Sequence, residues 1–169
     1  NPTSTPLPFD TATAVAGHRI VTARAPERTI PLFLRAGAVV PMLPTSVDTL
    51  SDYGDDVVHL GDRADRRTLL AVPVAGSTRG TLGVGESLTS QVTRRSWSLQ
   101  VDATVPRTYD VQAALTGLDR SWRPCRVEAD GQQVDFTYDR AARLITEPPP
   151  TDSPTPPSES IPTPKASAI

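Results

Sequence analysis

Few residues in this chain have the types and spacing that chemistry asks for. Asp48, Asp52, Asp55 and Asp56 lie close together and suggest a calcium loop. They lack the Asp-x-Asp-x-Asp-Gly ladder and distal Glu that such a loop uses, so they read as a solvated acidic loop. His18 and His59 are far apart and have no Cys or His at ligand spacing, which argues against zinc. Cys125 is the sole cysteine; it has no Cys-x-x-Cys context and no nearby His, and reads as a partly buried structural thiol. No metal and no cofactor is expected. Trp97 and Trp122 offer flat apolar faces of the kind on which a pyranose stacks. Trp97 alternates in phase with Leu99 and Val101 and so reads as core. Trp122, in Ser121-Trp122-Arg123-Pro124, is nearer a loop and is the better carbohydrate-contact candidate. No catalytic residue is assigned.

The elements that would carry these residues are strands. The longest apolar run, Ile30-Pro31-Leu32-Phe33-Leu34-Arg35-Ala36-Gly37-Ala38-Val39-Val40-Pro41-Met42, is punctuated by Pro and Gly. Pro31 blocks a helix and Gly37 permits a bend. The run therefore predicts two short buried strands, Ile30–Arg35 and Ala38–Met42. Arg35, a charge inside it, is expected at an edge or paired with a carboxylate. The run is too short, and too interrupted, to span a bilayer. Further strands are expected at His18–Arg24, Val57–Leu60, Thr68–Val74, Gln91–Val101, Tyr109–Leu115, Pro124–Glu128, Val134–Tyr138 and Ala142–Thr146. Asp130-Gly131 marks a hairpin, and Thr81–Val84 a possible pairing. No segment has a helical period. Short strands at regular spacing predict an all-β, antiparallel β-sandwich.

Composition bounds the remainder. The 169 residues carry a net charge of −2, which gives no reason to expect nucleic acid or an anionic membrane as partner. One cysteine excludes an internal disulfide and leaves the compartment open. Residues 147–169 hold eight of the eighteen prolines among Ser and Thr, which predicts a disordered tail or linker. Such linkers tilt the localisation slightly towards secretion. The chain begins at Asn1 and its only Met is internal, which leads us to expect a processed chain or a fragment.

The central run also resembles the segment that follows the catalytic barrel in glycoside hydrolase family 31, the α-glucosidase and α-xylosidase family. There an apolar residue, Pro, a short strand, Arg-Ala-Gly and a second strand ending in Pro occur in this order. Gly17–Ala23, Val47–Leu50 and Leu69–Pro73 resemble the flanking parts. The resemblance covers 7–75 most specifically and extends through 76–147; the tail matches nothing. It implies a partial proximal β-sandwich over 1–75, with an unpaired edge or exposed apolar face, a distal β-sandwich over 76–147, and a Pro/Ser/Thr-rich tail over 148–169. It departs from the family at Gly83-Val84-Gly85-Glu86-Ser87, where many members carry an acidic Glu-Asp-Asp-Gly-like turn. The family hydrolyses α-glucosides or α-xylosides with retention through two carboxylates on the barrel, and no residue here matches those motifs. The implied role is non-catalytic: a support whose partner is the barrel of a parent chain. The alternative is a stand-alone carbohydrate-binding or structural module.

Overall fold

A computed structural model describes residues 15–18, 20–22, 27, 30–51, 53–118, 121–146 and 165–168. Eleven strands and two single 3-10 turns make it all-β. The strands are β1 (Val39–Met42), β2 (Arg66–Ala71), β3 (Gly76–Gly83), β4 (Glu86–Val92), β5 (Trp97–Ala103), β6 (Thr108–Ala114), β7 (Val127–Ala129), β8 (Gln132–Val134), β9 (Thr137–Asp139), β10 (Leu144–Thr146) and β11 (Lys165–Ala168). They form a five-stranded sheet, β1-β2-β6-β10-β9, and a six-stranded sheet, β3-β4-β5-β11-β7-β8. All pairings are antiparallel except β2 with β6.

Alternation decides which side chains go inside. Along β5, Trp97, Leu99 and Val101 are buried, and the residues between them are not. Leu69, Ala71, Ala113 and Ile145 of the first sheet join Leu82, Leu88, Trp97, Leu99, Val101 and Val127 of the second in one hydrophobic cluster. The Asp130-Gly131 hairpin forms as expected. Both residues have positive φ, 51° and 79°, as a type I′ turn requires, and Ala129 faces Gln132 across it.

Several expectations are corrected. Ile30–Arg35 is neither a strand nor buried; Ile30 is 79% exposed and Leu32 and Phe33 are exposed too. Pairing starts only after Gly37, whose φ of +87° turns the chain so that its N–H donates to Val72 O at 2.7 Å. Arg35 is exposed. The described part of His18–Arg24 is irregular and exposed, and Val57–Leu60 makes only the isolated bridge Thr49↔His59. Gln91–Val101 is two strands, because Thr93 Oγ1 accepts from the N–H groups of Arg95 and Ser96 and closes a turn. Val134–Tyr138 likewise breaks at Asp135-Phe136, where the chain leaves the second sheet for the first.

The boundary expected at 75/76 does not divide the core. β2 lies before it and β6 after it, yet they are hydrogen-bonded over Arg66–Ala71, because Leu69 and Ala71 bury in the same cluster as Ala113. The expectation of disorder for 148–169 fails at Lys165–Ala168, which pairs with β5 on one side and β7 on the other. A backbone ladder needs free N–H groups rather than apolar side chains, and this Pro-free stretch supplies them. Residues 147–164 lie outside the described residues.

Candidate functional site

Among the described residues, a group of polar side chains gathers around Glu86, at the head of β4. Glu86 opens β4 in phase with Leu88 and Ser90, so the pleat turns all three inward, and Glu86 is only 5% exposed. Arg67 is in phase with Leu69 and Ala71 on β2, and Tyr109 with Val111 and Ala113 on β6. Arg67 Nη1 donates to Glu86 Oε2 and, at 3.4 Å, reaches Leu82 O. The Tyr109 hydroxyl donates to Oε1 at 2.8 Å. Arg107 Nε lies 2.7 Å from the same oxygen, but its hydrogen is not aimed there, so charge rather than an aligned bond holds it. Arg107 Nη1 donates to Ala64 O.

Two guanidinium groups and a phenol thus converge on one carboxylate. Tyr109 is pushed up to about 12, first by burial and then by the hydrogen bond to Glu86 and its charge. Both carboxylate oxygens are engaged, which leaves neither poised as a nucleophile. The arrangement ties β4 of one sheet to β2 and β6 of the other. Beside it, Thr81, Gly83, Glu86, Ser87, Asp102 and Thr104 help to line an open cleft of about 410 Å³. Gln100 Nε2 donates to Asp102 Oδ1 at 3.1 Å within this edge.

The candidates read from the sequence are scattered. Trp122 is half-buried and packs against the hydrophobic cluster. Trp97 is core, and its Nε1 donates to Ser90 Oγ at 2.9 Å. Cys125 is exposed, not partly buried, because it lies in the irregular stretch before β7. Asp55 and Asp56 are exposed, and Asp52 lies outside the described residues. Asp48 is used locally: its Oδ2 accepts from Val58 N at 2.9 Å. Among the described residues no three His, Cys, Asp or Glu side chains gather to hold a metal ion, and no helix is long and apolar enough to cross a membrane. Asp110, half-buried on β6, is raised by burial, with Arg66 opposing.

Sequence reasoning missed Glu86. The signal was present: a charged residue in phase with Leu88 at the head of an alternating strand must point inward and find a counter-charge. No protein-family model matches the chain, and no curated protein matches it either.

Proposed function

We propose that the two sheets pack as a β-sandwich that serves as the non-catalytic C-terminal support of a glycoside hydrolase resembling family 31, with the catalytic barrel of the parent chain as its partner. One observation carries this reading. Ile30, Leu32 and Phe33 stand exposed immediately before β1, which is itself an edge strand. An exposed apolar run beside an open edge is what a surface looks like when it is built to be covered. The reading is supported by the resemblance of this run to the segment that follows the barrel in that family. The engagement of Glu86 by Arg67, Arg107 and Tyr109 fits a part that holds shape instead of cleaving bonds.

Sequencing the coding DNA upstream of Asn1 tests the reading. An open frame running through a barrel-length segment with two candidate acids supports it; a start codon or signal sequence directly before Asn1 overturns it. Turnover of aryl α-glycosides by the purified chain would contradict the non-catalytic role. Retardation in starch or glucan gels, lost on Trp122→Ala, would favour the stand-alone carbohydrate-binding alternative.

A further inference from the structure

The segment between β1 and β2 has no strand of its own, yet it is closely tied. Asp48 N donates to Val58 O at 2.9 Å, Leu60 N to Thr49 O at 3.2 Å, and Val58 N to Asp48 Oδ2 at 2.9 Å. His59 N donates to Asp62 Oδ2 at 2.9 Å. The His59 ring sits in the middle of this loop. Its Nδ1 is 2.5 Å from Ser51 O and its Nε2 is 2.8 Å from Gly54 O. Both partners are carbonyl oxygens, which only accept. A neutral imidazole has one N–H and one bare lone pair, so it satisfies one carbonyl and faces the other with repulsion. The imidazolium donates to both. We propose that the loop from Asp48 to Asp62 is a pH-sensitive clasp, closed by doubly protonated His59 and loosened when that proton leaves.

The charged groups of the segments around the ring are Asp48, Asp55, Asp56 and Asp62, with Asp52 belonging to the same loop by sequence. The four described carboxylates favour the cationic ring; Arg63, whose Nε donates to Ser46 Oγ, opposes it. The sign follows. Hydrogen bonds to the charged form raise the folded-state titration of His59 above that of an unfolded histidine. The clasp is therefore fully present below the unfolded value and is lost as pH rises through the folded one. What the clasp holds in place is an apolar display: Leu50 and Tyr53 project from it, Tyr53 87% exposed. Its opening rearranges that surface, which couples the loop to the acidity of its surroundings.

A short peptide carrying residues 57–61 supplies the unfolded reference for this ring. We expect NMR titration of the whole chain to place His59 above the histidine of that peptide. Amide exchange at Val58, His59 and Leu60, corrected for intrinsic rates, should lose protection by about tenfold per unit of that separation as pH rises from about 6 to about 8. In His59→Gln the pH dependence of those three amides should vanish. The proposal is overturned if His59 titrates together with the histidine of the peptide, if protection of the three amides is constant over this range, or if their pH dependence survives in His59→Gln.

Discussion

Replacing Glu86 by Gln keeps the shape of the side chain and one carbonyl oxygen while removing its charge. In the native protein this carboxylate is 4% exposed, whereas its partners Arg67 and Arg107 are 27% and 21% exposed. Loss of one member of a buried ion pair costs about 3–5 kcal/mol. The arginines keep some contact with water and Arg107 lacks an aligned bond, so the lower end applies, about 3 kcal/mol. For a chain of this size about 2–4 °C of melting temperature is lost per kcal/mol, hence a fall of about 6–12 °C. Urea unfolding followed by tryptophan fluorescence reads it directly, because Trp97 is bonded to Ser90 on the strand that Glu86 opens. The slope with denaturant should stay constant while the midpoint falls. Adding Arg67→Met to Glu86→Gln should restore part of the loss, since it removes the guanidinium left without its anion. A Glu86→Gln variant within about 0.5 kcal/mol of the native chain, the range of a plain surface substitution, would refute the view that this cluster ties the sheets together.

Two further outcomes follow from the same geometry. Tyr109 ionises at about 12 in the folded chain against about 10 unfolded, so the stability tied to its neutral form is complete below pH 10 and disappears as pH rises through 12; ultraviolet titration of tyrosinate should show one late-ionising group that moves earlier in Glu86→Gln. Gly37→Ala and Gly131→Ala both place a side chain at positive φ, but a Cβ at Gly37 would sit 2.8 Å from Thr78 Cγ2 while Gly131 faces open space. Gly131→Ala should cost about 1 kcal/mol, from backbone strain alone, and Gly37→Ala clearly more in the same urea measurement.

The all-β class, β5 and the Asp130-Gly131 turn were legible because alternation and turn chemistry are local signals. Trp97, Leu99 and Val101 fall on one face for the same reason that they do so in the pattern of letters, and Asp130-Gly131 needs no distant partner to turn. Ile30–Arg35 was misread because apolarity alone says that a segment is coverable, not that this stretch of chain covers it. Glu86 was missed because its meaning depends on Arg67, Tyr109 and Arg107, which lie on strands or strand ends far along the chain. The shared core of β2 and β6 escaped the expected division at 75/76 for the same reason: a parallel pair between distant strands leaves no mark in either strand.

That parallel pair sets an order of assembly. Thr68 and Asp110 face each other from positions 42 apart in the chain, whereas Gly83 and Glu86 close a hairpin across three. By the logarithmic growth of closure entropy, bringing β2 to β6 costs about 2 kcal/mol more than starting that hairpin. The three-stranded meander β3-β4-β5 occupies the interval between β2 and β6, and shortens it by folding first. Substitutions within the meander should therefore slow refolding, while those at the β2–β6 seam should chiefly hasten unfolding. A nascent chain holds β2 with only β1 to pair it until the meander has formed and β6 has emerged, so one edge of β2 stays open to wrong partners through that interval.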